Sequence, residues 1–347
     1  MSEQNLESVV KRVLTYTITI DRQRDDWQRA SAMSGVLACG DDQEVAVVKG
    51  WLDRAVATQN SQGNLSFSEP EYFPAGSHVG RATPHGPLSS SFGYPLLELH
   101  QRTGDARYLE AAERQVAALM RAPRTSDGGI WSHKDGPELW VDFVYMMCPF
   151  LARFGTVTGD TAYVDEAFHQ FDVHVQHLVD PQAHLARHAW RETPNSFPQS
   201  TFWSRGNGWL VAAAVQLLEL CPDHEKSRWL ADAAVRTLSA MARHQDRTGY
   251  LRNILDDPDS PLESSGSVMF AYAAAKAVEQ GLVDPELIDA AVRAVRVVSG
   301  EVSEDGAVRG VSVPPGGPGV PFGVTPFGQG FFLLACDALR KPLGLPG

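Results

Sequence analysis

Apolar residues along this chain fall into two alternating kinds of segment. In one kind they occupy a single helical stripe. Tyr108, Leu109, Ala112, Val116, Leu119 and Met120 follow such a spacing, as do Tyr163, Val164, Ala167, Phe168 and Phe171. The other kind is apolar nearly all round: FGYPLLELH, VDFVYMMCPFLARFG, WLVAAAVQLLEL, SVMFAYAAAKAV and GQGFFLLACDAL, with Asp26 to Cys39 as a sixth. A helix without a polar face must be enclosed by other helices. Alternating β-branched runs joined by hairpin turns are scarce, so no sheet is expected.

A recurring phrase punctuates the segments. Thr103-Gly104-Asp105 and Thr158-Gly159-Asp160 each stand before a striped segment. Weaker forms occur at Gly40-Asp41-Asp42, Cys221-Pro222-Asp223 and Gly281 to Pro285. The interval is roughly 55 to 65 residues, the scale of one supersecondary unit. Each aspartate stands where a helix N-cap belongs. Six enclosed helices alternating with about six amphipathic ones predict an all-α (α/α)6 barrel, with residues 3 to 20 supplying one outer helix. No linker divides the chain, so residues 1–347 read as a single domain.

The connections are unequal. Those from inner to outer helices are a few residues long, whereas those from outer to inner span about 59–84, 122–138, 180–203, 245–263 and 300–322. Long loops on one face of a rigid scaffold are where sites are built. That face also carries the N-termini of the inner helices, whose partial positive charge favours an anionic ligand.

Composition narrows the classes. The chain has 347 residues, 30 Lys plus Arg against 42 Asp plus Glu, and a formal charge of −12. A field of that sign repels nucleic acid and anionic membrane surfaces. No apolar run approaches the ~20 residues of a membrane helix, and the N-terminus lacks the pattern of a secretory signal. Cys39, Cys148, Cys221 and Cys336 are far apart, as buried thiols of a reducing compartment would be, and a cytoplasmic location is expected.

Aromatic, glycine and polar residues gather at the inner-helix starts: Asp25-Asp26-Trp27, Trp140-Val141-Asp142-Phe143, Phe202 to Trp209, Glu263 to Ser267 and Phe327-Gly328-Gln329-Gly330. Flat rings beside carboxylates, amides and an arginine make a sugar-binding surface, with rings stacking on pyranose C–H faces and charged groups forking onto hydroxyls or carboxylates. Pairs such as His133 with Asp135, or His184 with His188, gain no third ligand, so no metal is expected. No cofactor is implied. Pro314 to Gly319 lacks the Lys and Ser/Thr of a phosphate loop and reads as a stiff loop beside the cavity. Pro149 should bend the third inner helix.

WVDFVYMMCPFLARFG, FWSRGNGW, LDDPDSPLESSGSVMFAYAAAKAV and PFGQGFFLLA resemble the unsaturated rhamnogalacturonyl hydrolases, glycoside hydrolases of family 105, which are related to the unsaturated glucuronyl hydrolases of family 88. The resemblance runs from about Trp27 to Leu339 and implies the same (α/α)6 barrel. It also implies hydrolysis of the 4,5-unsaturated uronic acid that lyases leave at non-reducing ends of oligosaccharides, so the expected partner is such an oligosaccharide. The C4=C5 bond is a vinyl ether, and one acid that protonates C4 and then activates water suffices. Burial between aromatic rings favours the protonated carboxyl such a donor needs.

By that resemblance Asp142 matches the catalytic aspartate, and His188 a substrate-contacting histidine. Arg205 has the planar fork suited to a uronate carboxylate. Trp140 and Trp209 are candidate sugar platforms. Trp27 and Asn207 join the substrate-binding set, with Gly206 and Gly208 letting the backbone approach closely. Ser264 to Ser267 read as a cap of the fifth inner helix. One departure stands out: a second aspartate, usual at the start of the second inner helix, is replaced by Leu88-Ser89-Ser90-Ser91, with His85 the nearest group to substitute. Other readings stay open: an inverting glycosidase using Asp26 or Glu263 as partner carboxylate, a saccharide-binding protein without catalysis, or an epimerase using facing histidines. The aglycon sugar and the oligomeric state are not legible.

Overall fold

A computed structural model describes residues 3–20, 26–67, 86–131 and 136–345. The main helices are α1 (Glu3–Thr19), α2 (Asp26–Cys39), α3 (Asp42–Ala57), the short α4 (Gly86–Ser89) and, after a 3-10 turn at Ser90–Phe92, α5 (Gly93–Thr103). There follow α6 (Ala106–Met120), α7 (Val141–Thr158), α8 (Thr161–Leu178), α9 (Ser204–Leu220), α10 (Ser227–Arg243), α11 (Ser264–Glu279), α12 (Leu287–Gly300), α13 (Pro326–Ala338) and the short α14 (Arg340–Leu343).

The apolar-all-round segments form the inner ring, α2, α5, α7, α9, α11 and α13. Each packs on the next and α13 returns to α2, which closes the barrel. Helices α3, α6, α8, α10 and α12 cover the inner helix preceding each, and α1 lies against α13 and α2. Burial follows the sequence pattern. In α9 every residue from Ser204 to Leu218 is buried, whereas α10 buries only the stripe containing Leu230, Ala234, Thr237, Leu238 and Met241.

The Thr-Gly-Asp phrase is a helix-to-helix joint. Thr103 and Thr158 turn their hydroxyls back onto the carbonyls of Leu99 and Phe154, 2.8 Å away in each case. The following glycines take φ of 71° and 76°, the left-handed conformation that ends a helix cheaply only without a β-carbon. Asp105 and Asp160 then accept from the N–H groups of Arg107 and Ala162, opening the next helix. Asp41 caps α3 in the same way, within a capping box completed by Glu44. The two weakest forms of the phrase behave differently. Helices α10 and α12 start later, at Ser227 and Leu287, and their N-cap residues Lys226 and Glu286 give no side-chain cap.

Contrary to the expectation of no sheet, three small antiparallel sheets among the described residues brace the long loops. β1 (Glu138–Trp140), β2 (Ala189–Arg191) and β3 (Ser196–Gln199) form one; β4 (Leu251–Arg252) pairs with β5 (Leu262–Glu263), and β6 (Val311–Ser312) with β7 (Phe322–Gly323). With two to four residues each, these strands are too short to show an alternating pattern. Their placement matters: β1 runs directly into α7 and β5 into α11.

Ring closure depends on contact between backbones. A β-carbon on Gly330 of α13 would lie 2.4 Å from Ala32 Cα in α2, and one on Gly35 would lie 2.3 Å from the carbonyl oxygen of Gly330. Neither neighbour is a flexible side-chain tip, so the two helices must separate to accept a methyl group. Gly330→Ala is expected to cost roughly 2–3 kcal/mol and lower the thermal unfolding midpoint by several degrees. An unchanged melting curve would show that the α2–α13 crossing tolerates separation.

Candidate active site

The β1–β2 sheet joins residues distant in sequence. Trp140 pairs with Ala189, and the Val141 N–H donates to the His188 carbonyl at 3.1 Å. The last strand residue before α7 and the first residue after the 180–188 loop are therefore held in register. Asp142, in the first turn of α7, and His188 are brought face to face, with His188 Nε2 3.2 Å from Asp142 Oδ2. That distance suits an ion pair, but the direction does not suit a hydrogen bond: Asp142 Oδ2 and both His188 nitrogens lack hydrogen-bond partners among the described residues. The imidazole is fully enclosed, edge-on to Trp140 at 5.3 Å and tilted against Trp203 at 4.4 Å.

Arg205, in the first turn of α9, is 1% exposed. Its guanidinium lies 4.0 Å from the ring centre of Trp203 and 4.6 Å from that of Phe327. Nη1 donates to the carbonyl and hydroxyl of Ser312 and to the hydroxyl of Ser265, and it stands 4.0 Å from Glu263 Oε1. Nε has no partner among the described residues. Burial pulls the guanidinium pKa down to about 10, against the opposing pull of the Glu263 and Asp142 charges. The cation therefore lies in the field of Asp142, anchored through Nη1 with its Nε edge unengaged.

Glu263 and Glu138, the other described carboxylates beside Asp142 and Arg205, are committed. Glu263 is fully buried; Oε1 accepts from Ser265 Oγ at 2.6 Å and Ser312 N at 3.0 Å, and Oε2 accepts from Gly266 N at 2.6 Å. Glu138 accepts the Trp140 indole N–H at 2.6 Å on Oε1, and Arg191 at 2.9 and 2.6 Å on Oε2. Glu138 thus fixes the Trp140 ring, which stacks on Phe143 at 6.2 Å.

Several expectations change. Asn207 does not face a ligand: fully buried, it accepts from Ala186 N at 2.7 Å and donates to the carbonyls of Ala186 and Trp203, both at 3.0 Å. Both of its N–H groups are used on backbone. Trp209 offers no open face for a sugar, because its buried ring packs on Tyr145, Phe327 and Phe331 at 4.8, 6.0 and 5.2 Å. The cap of α11 is Glu263 rather than Ser264 to Ser267. Glu263 is fully buried with both oxygens in hydrogen bonds, so it presents no oxygen to a bound water as the second carboxylate of an inverting pair would. Trp27 stacks on Phe327 at 5.5 Å, behind the ring that covers Arg205. His85 and His133 lie outside the described residues. The serines replacing the second aspartate are buried; Ser90 and Ser91 donate to the carbonyls of Gly86 and Leu88, and the Ser89 hydroxyl has no partner among the described residues.

Sequence reasoning missed Ser312 and Asn253, and read Ser265 only as part of a helix cap, not as a partner of Arg205. Asn253 holds Trp203 through its indole N–H at 3.1 Å and holds the Gly317 carbonyl at 2.9 Å. These residues sit in loops or behind the arginine, where no periodicity marks them.

The barrel mouth thus gathers an unengaged carboxylate, a histidine, a buried arginine and tryptophans, groups that suit the site of a glycoside hydrolase. The chain belongs to Glycosyl Hydrolase Family 88, whose profile matches residues 4–341. It is 30% identical over 322 residues to the unsaturated rhamnogalacturonyl hydrolase YesR of Bacillus subtilis (strain 168), covering 89% of this chain and 85% of that protein. It is 28% identical over 341 residues to an unsaturated 3S-rhamnoglycuronyl hydrolase of Formosa agariphila, covering 91% and 88%. A crystal structure from Salmonella enterica, described as a possible member of the GH105 family, superposes with a TM-score of 0.86 at 22% identity, covering 99% of this chain and 95% of that one.

Glu263 should be a requirement of the fold as well as of the site. Glu263→Ala removes the α11 cap and leaves Arg205 without its nearest counter-charge, a loss expected to reach about 3–5 kcal/mol. Thermal or denaturant unfolding measures this; a loss below about 1 kcal/mol would reduce Glu263 to an ordinary cap.

Proposed function

We propose that the protein removes a 4,5-unsaturated uronic acid from the non-reducing end of lyase-generated oligosaccharides by hydrating the vinyl ether. The observation carrying this reading is that Asp142 alone, among the described carboxylates at the inner-helix starts, accepts no hydrogen bond, while it shares a field with the buried cation of Arg205. Hydration of an enol ether needs one group that gives a proton and then takes one; conventional glycosidic cleavage needs two carboxylates. Glu138 and Glu263 are both spent on structural partners. Relatives named as hydrolases of unsaturated rhamnogalacturonyl and rhamnoglycuronyl units support the same substrate class.

The steps follow from the chemistry. The Nε edge of Arg205 receives the uronate carboxylate, a bidentate geometry suited to a guanidinium already fixed through Nη1. Asp142, protonated, gives its hydrogen to C4, and positive charge develops at C5 and the ring oxygen. The resulting carboxylate takes a proton from water as the water oxygen attacks C5. The product is a hemiketal, which opens and releases the rest of the saccharide. His188, fully enclosed and 3.2 Å from the acid, backs Asp142, and Trp140 offers a partly exposed ring at the same helix start.

We read the enzyme as cytoplasmic. Its four cysteines are free thiols, which suits a reducing compartment, and no described helix is long and apolar enough to cross a membrane.

A panel of unsaturated disaccharides, followed by the fading ultraviolet absorbance of the conjugated enoate, tests the reaction. Asp142→Asn is expected to cut kcat by about 10²–10⁴-fold with its melting curve unchanged; near-wild-type turnover would remove Asp142 from the mechanism. Arg205→Lys keeps the charge and loses the fork, so KM for the same substrates should rise roughly 10- to 100-fold. An unaltered KM would place the carboxylate elsewhere.

A further inference from the structure

Asn207 spends its whole donor capacity on two backbone carbonyls, and the positions of those carbonyls give it a role. Its carboxamide pairs with Ala186 as a strand neighbour would, Oδ1 with the N–H and Nδ2 with the carbonyl oxygen, and Nδ2 also holds the Trp203 carbonyl. Ala186 is two residues before His188, whose own carbonyl receives the N–H of Val141, the residue preceding Asp142. Trp203 carries the ring packed on both His188 and Arg205. One buried amide therefore ties the 186–188 segment that carries the histidine, itself bonded to the residue before the acid, to the α9 start that presents the guanidinium. His188 has no side-chain hydrogen bond among the described residues to hold it. Its ring position rests on the flanking indoles and on the backbone that Asn207 grips.

We infer that Asn207 is a positioning residue for the His188 imidazole beside Asp142, acting on the reaction through the 186–188 backbone and never touching the sugar. The inference rests on Asp142 being the acid. Only the asparagine amide meets all of these contacts: aspartate lacks the two N–H donors, glutamine is one methylene too long for the enclosed space, and leucine satisfies none of the three backbone groups.

A double-mutant cycle with His188 tests it. Asn207→Ala is expected to lower kcat for an unsaturated disaccharide at least about tenfold, the scale of a misplaced catalytic group, with KM changed less than about threefold. In a His188→Ala background the same substitution should change kcat less than about twofold, because the group it positions is gone. Equal loss in both backgrounds would reduce Asn207 to a general structural residue, and a large rise in KM alone would make it a ligand of the sugar. If Asn207→Ala does not fold, Asn207→Ser, which keeps an acceptor for the Ala186 N–H, carries the same cycle. A second readout needs no turnover: the His188 imidazole resonances in NMR should shift in the Asn207 variant, and unmoved resonances overturn the inference. A wild-type enzyme inactive on every unsaturated disaccharide would sink the proposed reaction instead, while the NMR measurement still judges Asn207.

Discussion

A guanidinium with almost no exposure is the constraint around which this barrel mouth is built. Leaving such a charge unpaired in protein interior costs several kcal/mol, so its partners cannot be optional. Ser312 from the last long loop, Ser265 from the start of α11 and the Glu263 carboxylate surround Nη1 of Arg205, while Trp203 and Phe327 cover its faces. Glu263 also caps α11 and holds the β6 backbone at Ser312. Satisfying one cation thus fixes the relative positions of α9, α11, α13 and the β6–β7 hairpin. Those elements form half of the ring, and their closure onto α2 through Gly330 extends the same rigidity to the other half.

That rigidity decides what the mouth can bind. The chain as a whole is strongly acidic, yet the converging helix starts contribute partial positive charge, and Arg205 places a full one among them. An anion is attracted by the site and repelled by the rest of the surface, which is a basis for selecting a small acidic terminus over a long polyanion. The unpaired Nε gives that attraction a direction.

Much of the fold was legible because ring and cover impose different burial on alternate helices, and burial writes itself as periodicity. Thr-Gly-Asp was legible because each of its residues has one conformational job in a three-residue joint. The returning turns after the outer helices were not. Asn60, Thr125, Asp246 and Ser303 each close the same hairpin, donating their N–H to the carbonyl four residues on and accepting from the N–H three residues on. Four different residue types open this turn, and what recurs is a single glycine three residues on (Gly63, Gly128, Gly249 and Gly306, φ of 94°, 92°, 103° and 96°), too little to stand out as a phrase. The fourth outer helix, α8, ends in a version one residue longer, with His184 at a φ of 57°. The three sheets were illegible for a related reason: their strands are defined by what they pair with across a loop, which two to four residues cannot encode.

The site shows the limit from the side of chemistry. Asp142, Glu138, Glu263 and Asn207 are all polar residues close to an inner-helix start, and the chain alone does not say which face solvent and which face backbone. Composition makes them equivalent; the number of donors aimed at each separates them. Glu263 receives three hydrogen bonds and Glu138 three, and such carboxylates are held in place by their donors. Asp142 receives none among the described residues, which is what the proposed acid–base role asks of it. The serines at positions 89 to 91 belong to the same logic. Two of the three hydroxyls are turned onto nearby carbonyls, those of Gly86 and Leu88, and are spent on backbone as the Asn207 amide is.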